Sequence, residues 1–373
     1  MTGAPSIGTF VPVIDESEAV TGRVLFVPVS GPRGMGEYAR ALALATEASQ
    51  RWPQLEIHFA LSQQAPYAAD TPFPKTLLPS SPTFHNPEMA ELIRAFRPTL
   101  VVFDNAGRTA QLRAAARMGA RVVYVSSRER QRGRAFRLRW MNMLDEHWIA
   151  YPEFIAGELS TFERLKLKVL RRPVVKYLDV VLPPRNAALA AETMKRFDVT
   201  FGDYVLVVPG GGTDHPGAEN APQIIAEAAR RIAKRGVPTV LVGVTPSGHL
   251  DKPPPHTLHV APRMPMAQLA ALMRGARVVV SNGGDTLLQA IAAARPCVAV
   301  PIAGDQAYRI ARCEQRGLAV ASRLDEQALA EATLSLLDDS ARHAAFVMRL
   351  SKATLGNGLD TALASIARLA RAD

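Results

Sequence analysis

Short continuous apolar runs alternate with segments of helical apolar spacing along most of the chain. Strand-like runs such as RVLFVPVS, LEIHFALS, TLVVFD and RVVYVSS are separated by amphipathic stretches such as GEYARALALATEAS and GRTAQLRAAARM. A second series of the same kind extends from YVLVVPGGG to LAVA. Buried runs that alternate with helices are typical of parallel sheets with helices on both faces. The pattern predicts an α/β fold of two doubly wound, Rossmann-like domains that face a cleft.

Paired prolines in LPPRN, residues 182–186, separate the two series. The residue before a proline is disfavoured in a helix, so this segment reads as a linker. A chain of 373 residues is also too long for one ordinary hydrophobic core. We predict an N-terminal domain over 1–182 and a C-terminal domain over 187–340. The Ala- and Arg-rich segment 341–373 is predicted to be helical and to pack across both domains.

Composition narrows the class of protein. Hydrophobic residues make up 48% and charged residues 21%, which is typical of a globular chain. No run of eighteen apolar residues and no secretory leader pattern occurs in the sequence. Cys297 and Cys313 fall in apolar strand and helix patterns, which argues against a disulfide framework or a structural zinc site. We expect a cytoplasmic protein.

The net charge of +10 is concentrated in one segment, with six arginines inside residues 128–139. Apolar residues follow or interleave with them, among them Phe136, Trp140 and Met141. Such a segment suits peripheral contact with the inner membrane face, an anionic or lipid-linked acceptor, or an ordinary solvated surface. These alternatives stay open. No nucleic-acid partner is expected, because no binding motif accompanies the charge and aromatic residues are only 6%.

Polar, glycine-rich turns follow the strands of the second series, as in PGGGTDHPG, APRMPM, SNGGDT and PIAGDQ. Ligands of doubly wound sheets bind beyond the carboxyl ends of the strands, where these turns lie. The glycine pair of SNGGDT permits close backbone approach, and the helix after it offers unpaired N–H groups to an anion. An ordinary capped turn explains this one motif equally well. The turns lack a G-x-G-x-x-G fingerprint, which argues against a nicotinamide enzyme.

Over about residues 200–340 the sequence resembles the donor-binding half of GT-B glycosyltransferases. The likeness is to the peptidoglycan N-acetylglucosaminyltransferase and to UDP-sugar glycosyltransferases, and the span RMPMAQLAALMRGARVVVSNGGDTLLQAIAAARPCVAVPIAGDQ carries most of it. It implies a nucleotide-sugar donor, UDP-sugar above all, bound by the second domain. The implied nucleotide contacts include two of the glycines that follow YVLVVP. The full set is Gly211, Gly212, Thr213, Arg263, Met264, Ser281, Asn282, Gly283, Gly284, Asp285, Thr286 and Gln289. Asp305 and Gln306 would contact the donor sugar.

One departure concerns the ribose position, where Gln289 stands in place of the usual Glu. An amide still hydrogen-bonds a diol, but without the assistance of a charge.

The stretch SGPRGMGEYARALALA resembles the G-x-G-H-x-x-R turn of related UDP-sugar hydrolases and transferases, with Gly34, Gly36 and Arg40 in place. Glu37 occupies the family's His position, which implies the role of general base, and a carboxylate can accept a proton as the His does. As an alternative, Glu37 is a first-turn residue that favours the helix dipole. Asp104, at the end of TLVVFD, is the reserve base. Gly36, Ser127 and Arg128 are expected on the acceptor side.

The resemblance implies an inverting, metal-independent glycosyltransferase of cell-envelope glycan or glycolipid synthesis, with no cofactor besides its nucleotide-sugar co-substrate. No D-x-D motif and no histidine ligand pattern occurs in the sequence. Helix-end N–H groups and a cation such as Arg263 or Arg33 would therefore meet the phosphate charge. Two alternatives are a nucleotide-sugar hydrolase on the same fold and a non-catalytic nucleotide- or glycan-binding protein.

Overall fold

Residues 22–177 contribute the strands of a seven-stranded parallel sheet covered by helices on both faces. The computed structural model describes residues 20–32, 34–210, 218–244, 254–353 and 355–371. The strands are β1 (Gly22–Pro28), β2 (Leu55–Ser62), β3 (Lys75–Leu78), β4 (Leu100–Asp104), β5 (Arg121–Ser126), β6 (Glu146–Ile149) and β7 (Val174–Tyr177). Their order across the sheet is β3-β2-β1-β4-β5-β6-β7. Both faces are covered, because Val24 and Phe26 enter one core while Leu25 and Val27 enter the other.

Seven α-helices connect these strands. They are α1 (Gly36–Arg51), α2 (Asn86–Phe96), α3 (Thr109–Arg117), α4 (Glu129–Ala135), α5 (Leu138–Met141), α6 (Glu153–Ala156) and α7 (Thr161–Leu170), with a short 3₁₀ turn at Pro82–Phe84.

The second sheet is also parallel and has six strands. They are β8 (Val205–Val208), β9 (Thr239–Val242), β10 (Leu258–Ala261), β11 (Val278–Asn282), β12 (Cys297–Val300) and β13 (Val320–Ala321), in the order β10-β9-β8-β11-β12-β13. The helices described from here to the C-terminus are α8 (Ala187–Arg196), α9 (Ala221–Lys234), α10 (Met266–Gly275), α11 (Asp285–Ala292), α12 (Gly304–Glu314), α13 (Glu326–Asp338), α14 (Ser340–Ser351) and α15 (Gly358–Leu369). The predicted fold of two doubly wound domains is confirmed.

Strand order reverses once in each sheet, between β1 and β4 in the first and between β8 and β11 in the second. In doubly wound folds a ligand binds at such a switch point, beyond the carboxyl ends of the strands. The turn before α1 and the turn before α11 lie at these two points. The two turns that the sequence predicts to bind a ligand therefore lie at the two positions where this topology also predicts ligand binding.

The last two helices belong to different cores. Phe346 and Leu350 of α14 pack in the second domain, whereas Leu363 and Ile366 of α15 pack against the first domain beside α1. The domain limits at 182, 187 and 340 stay a prediction, but the C-terminal segment contacts both halves.

The chain therefore passes between the domains twice, and the two passing segments lie side by side. Val180 and Asn357 form a parallel bridge, and the Gly358 N–H donates to the Val180 carbonyl at 2.7 Å. The Gly356 N–H donates to Asp179 Oδ2 at 2.7 Å. A Cβ at Gly358 would collide with the Leu178 carbonyl, so this close approach requires glycine.

The basic segment 128–139 packs differently from the expected membrane contact. Phe136, Trp140 and Met141 are all buried in the first domain. Arg132 is buried too, and its guanidinium binds Glu163 at 2.8 Å and the carbonyl groups that follow α6. Leu138, at 58% exposure, is the one apolar side chain of the segment that faces outward. A membrane contact through 128–139 is therefore not what this packing favours. None of the described helices combines the length and apolarity needed to cross a bilayer.

A buried histidine beneath this segment gives a pH-dependent stability. His147 on β6 is fully buried, with Nε2 2.8 Å from Ser126 Oγ and no partner for Nδ1 among the described residues. Burial, and then the charge of Arg132, lower the pKa of His147 from 6.5 to about 3. The unfolded chain takes up this proton as pH falls below 6.5, while the folded protein does not until about pH 3.

We therefore expect His147 to lower the free energy of unfolding by about 2 kcal/mol between pH 7 and pH 5. Urea denaturation followed by tryptophan fluorescence measures this, because Trp52, Trp140 and Trp148, the three tryptophans of the chain, all lie in the first domain. The variant His147→Gln should lose correspondingly less stability over the same interval. Equal losses in the two proteins would contradict the assignment.

Candidate active site

A cavity of about 400 Å³ lies between the two switch points. One wall is the turn after β1, the start of α1 and the ends of β5 and β6. The other wall is formed by the ends of β8, β9 and β11, the start of α11 and the start of α12. Its volume is that of an ordinary small-molecule site.

Most of the predicted site residues come together here. Those that line the cavity are Gly36, Glu37, Ser127, Arg128, Arg263, Met264, Asn282, Gly284, Asp285, Thr286, Gln289, Asp305 and Gln306. Gly211, Gly212, Thr213 and Arg33 lie outside the described residues.

On the first-domain wall, Glu37 is the second residue of α1 and is held by Asn105. The Asn105 Nδ2 donates to Glu37 Oε1 at 2.8 Å and also to Ser127 Oγ, while its Oδ1 accepts from the Ser127 N–H at 3.0 Å. Asn105 has φ 52°, a left-handed conformation that asparagine tolerates better than most residues. Glu37 Oε2 has no hydrogen bond among the described residues. The arrangement fixes one carboxylate oxygen and leaves the other available to accept a proton.

Asp104 does not line the cavity, in contrast to its expected role as reserve base. It is 2% exposed, and its two oxygens accept from Arg40 Nε at 2.8 Å and Nη2 at 2.9 Å. The carboxylate is thus saturated by a bidentate contact, which is the strong geometry for this pair. Asp104 positions Arg40, and the Arg40 side chain lines the cavity.

On the second-domain wall, α11 opens onto the cavity with an uncapped N-terminus. Gly284 is its N-cap residue and provides no side-chain hydrogen bond. The N–H groups of Asp285, Thr286 and Leu287 therefore have no intrahelical acceptor. Gly284 itself is held by Asn282, whose Oδ1 accepts from its N–H at 3.0 Å. An uncapped helix end of this kind binds an anion.

Two residues of the same turn face away from the cavity, contrary to expectation. The Gly283 N–H is already engaged with Val300 O at 3.1 Å and Gln306 Oε1 at 3.2 Å, and a Cβ there would lie 2.8 Å from side-chain atoms of Gln306 and Ile310. Ser281 is fully buried, with its hydroxyl donating to the Asn282 carbonyl. Both residues shape the turn rather than contact a ligand.

Two buried arginines converge on this helix end from opposite sides. Arg40 Nη1 reaches across the cleft to Asp285 Oδ2 at 3.6 Å. Burial disfavours the charged form of Arg40, but Asp104 and then Asp285 outweigh it and raise the pKa of Arg40. Arg309 from α12 is 4% exposed, binds Asp305 at 3.0 Å and lies 4.3 Å over the ring of Tyr151 of the first domain. Its Nε has no hydrogen-bond acceptor among the described residues.

From the sequence, Arg263 or Arg33 is expected to meet the phosphate charge. Arg309 and Tyr151 were not predicted from the sequence. Arg263 lines the cavity from an exposed position, and its Nη1 lies 3.5 Å from Met35 Sδ across the cleft. Tyr151 directly follows the EHWIA run, so its place after a strand was a usable signal. For Arg309 no such signal exists, because it lies inside a helix.

Gln289 and Gln306 line the cavity with part of their amide groups already used. Gln289 Nε2 donates to the Val181 carbonyl at 3.1 Å. Gln306 Oε1 accepts from the N–H groups of Gly283 and Ile302, the latter at 2.9 Å. Gln306 therefore has only its amide N–H groups to offer a ligand.

Comparison with known proteins agrees with this architecture. Residues 205–339, less than half of the chain, match the family model for glycosyl transferases group 1. No curated protein sequence matches the chain.

Several solved structures are similar over nearly the whole chain. A UDP-glucosyltransferase from Polygonum tinctorium, capable of glucosylating indoxyl, is 13% identical, with 95% of this chain and 100% of that chain covered and a TM-score of 0.65. The spinosyn forosaminyltransferase SpnP is 14% identical, with 93% and 99% covered and a TM-score of 0.63. LpCGTa, solved in complex with UDP, is 15% identical, with 95% and 100% covered and a TM-score of 0.59.

At these identities the likeness shows the fold. The chain has the GT-B fold, and residues 205–339 in its second domain match the model for the group 1 glycosyl transferases.

Proposed function

We propose that the protein transfers a sugar from a nucleoside diphosphate sugar, with UDP-sugar as the first candidate, to an acceptor hydroxyl with inversion. The observation that carries the proposal is the pairing of two groups across one cavity. The first domain supplies the Glu37 carboxylate, and the second supplies the open N-terminus of α11. A base on one side and an anion site on the other are what displacement of a diphosphate from a sugar requires.

In the proposed reaction, the acceptor hydroxyl gives its proton to Glu37 while its oxygen forms a bond to the anomeric carbon. The bond between that carbon and the diphosphate oxygen breaks, and the diphosphate leaves with the electron pair. The N–H groups of α11 together with Arg40 and Arg309 meet the charge that develops on the leaving group. Asp285 adds a negative charge at the same place, and Arg40 lies 3.6 Å from it.

This cation arrangement is why we propose a metal-independent reaction without a further cofactor. Arg40 and Arg309 are both buried, and charge interactions are stronger in such surroundings than in water.

For the acceptor we propose an anionic or lipid-linked molecule, as in cell-envelope glycan or glycolipid synthesis. Ser127 and Arg128 line the cavity beside Glu37, where an acceptor would have to lie to be deprotonated. Product analysis with and without candidate acceptors separates transfer from hydrolysis of the donor. Binding of UDP-sugar with no turnover under any condition would favour a non-catalytic binding protein.

Replacing Gly284 by Val is expected to weaken UDP binding by at least about tenfold, which is about 1.4 kcal/mol. Gly284 has φ −80°, a backbone conformation that residues with side chains also adopt. A Cβ at this position would lie 2.8 Å from Asn282 Oδ1, at the N-terminus of α11. Isothermal titration calorimetry with UDP measures the effect. Gly133→Val is the matched control, since a Cβ there meets nothing within 4 Å. Unchanged UDP affinity in a folded Gly284→Val protein would place the diphosphate elsewhere.

A further inference from the structure

Helix α7 contacts the first domain through Glu163, Lys166, Leu167 and Leu170, which are half-buried, and its other residues are exposed. None of its residues is buried, and Phe162, Leu165 and Val169 are 65%, 54% and 71% exposed. The spacing of three and four residues places these side chains on one helix face. On the opposite side, Glu163 binds Arg132 at 2.8 Å. A surface helix of a globular protein normally keeps its apolar residues toward the core, whereas α7 has a second apolar stripe on its exposed side.

A second polar contact on the inner side confirms this orientation. Lys166 Nζ donates to the Phe136 carbonyl at 3.0 Å. Ser160 and Glu163 form a reciprocal capping box at the start of the helix, so its N-terminus is well defined. The outward position of the apolar stripe therefore follows from specific contacts.

Basic residues surround the apolar stripe. Arg164 and Lys168 of α7 are exposed, although Arg164 pairs with Glu158 at 2.9 Å, and Arg171 is the C-cap residue of the helix. Beyond this end lies a second cavity of about 360 Å³, lined by four arginines and one acidic residue. Its lining residues are Arg121, Asp145, Arg171, Arg172, Val174, Arg368 and Leu369. Two of the arginines are paired, Arg121 with Asp145 at 3.4 Å and Arg368 with Glu146. Val174, 51% exposed at the start of the edge strand β7, adds an exposed apolar side chain to this lining.

The charge limits what can cover this surface. A second copy of the chain in a two-fold contact would bring the same arginines and lysines against each other, because such contacts are self-complementary. An anionic partner fits instead. A one-sided stripe of Phe, Leu and Val flanked by Lys and Arg is the pattern of a helix that lies in the plane of a membrane interface.

We propose that α7 docks on an anionic lipid bilayer, with Phe162, Leu165 and Val169 inserted and a lipid headgroup phosphate bound in the four-arginine cavity. The docking surface is distinct from residues 128–139, whose apolar side chains are inside the domain. Through Arg132 it is nevertheless fixed to α4, and Arg128 at the start of α4 lines the cavity between the domains. The proposal does not depend on the chemistry of that cavity.

The test is co-sedimentation of the full chain with two kinds of vesicle, phosphatidylcholine alone and phosphatidylcholine mixed with phosphatidylglycerol. We expect binding to the anionic vesicles at low salt and its loss at high salt, since the Debye length falls from about 30 Å at 0.01 M to about 3 Å at 1 M. Phe162→Gln/Val169→Gln should weaken this binding by at least about tenfold, because both replacements remove apolar surface that would be buried in the bilayer. Arg171→Ala should weaken binding to the anionic vesicles specifically.

Phe84→Gln/Met348→Gln is the matched control, since both side chains are apolar and exposed, at 67% and 57%, and lie away from α7. It should bind as the wild type does. Absence of wild-type binding to anionic vesicles at low salt would overturn the proposal. Equal binding by the α7 and control variants would also overturn it. Equal binding to both vesicle types would exclude a specific site for the anionic headgroup.

Discussion

Replacing Glu37 by Gln is expected to lower the turnover of sugar transfer by about 10²- to 10⁴-fold, the range typical for loss of a general base. The amide keeps the size of the side chain and still accepts a hydrogen bond from Asn105, but it cannot take the acceptor proton. UDP affinity should stay near the wild-type value, because the proposed diphosphate site is at α11 in the other domain. Initial rates and calorimetry on the same protein samples measure the two effects.

Glu47→Gln on the same helix is the matched control, since Glu47 pairs with Arg51 and does not line the cavity. Its turnover should equal that of the wild type. A Glu37→Gln enzyme with normal turnover would exclude Glu37 as the base. A Glu37→Gln protein that lost turnover together with its folded state would instead favour the helix-dipole interpretation.

Replacing Arg40 by Met is expected to destabilise the protein by about 3–5 kcal/mol, since it leaves the buried Asp104 carboxylate without its counter-charge. Arg40→Met/Asp104→Asn should recover most of this loss, because a neutral amide is far less costly to bury than a carboxylate. The double variant still lacks the cation that reaches Asp285 and the leaving group. Its turnover should therefore remain about 10²- to 10³-fold low, as on removal of one charge-stabilising donor.

Urea denaturation and initial rates separate these two contributions of Arg40. A double variant that regained both stability and turnover would reduce Arg40 to a structural partner of Asp104. A double variant that stayed unstable would show that the amide at position 104 is not tolerated, and Arg40→Met/Asp104→Val would then repeat the test with an apolar residue.

The fold could be predicted from the sequence because each strand is a short apolar run buried on both faces. Val24 to Val27 on β1 alternate between two cores, so the run contains no polar position that a helix or a half-exposed strand would show. The strand ends were equally readable, since glycines and polar residues follow them directly. This is why the turn before α11 and the turn before α1 were identified in advance.

Side-chain direction was the part that could not be predicted. In SNGGDT, Ser281 and Gly283 are next to positions that line the cavity, but one side chain points into the sheet and the other position is closed by Gln306 and Ile310. In the basic segment, Phe136 and Leu138 alternate with arginines, and the pattern did not reveal that Phe136 is buried while Leu138 is exposed. Contacts between distant parts of the chain, such as Arg309 over Tyr151, have no local signature at all.

The two side-by-side passages of the chain between the domains have a mechanical consequence. Two domains that are joined by a single linker can rotate relative to each other in many directions. Two paired linkers favour rotation about one hinge axis, which runs through the pair. The bond between the Gly358 N–H and the Val180 carbonyl, at 2.7 Å, holds the two passages together. We expect the cleft to open and shut as a clamshell, with Glu37 and the start of α11 approaching each other along a single path. The register between base and leaving group is then set by the hinge itself, at a distance from the chemistry.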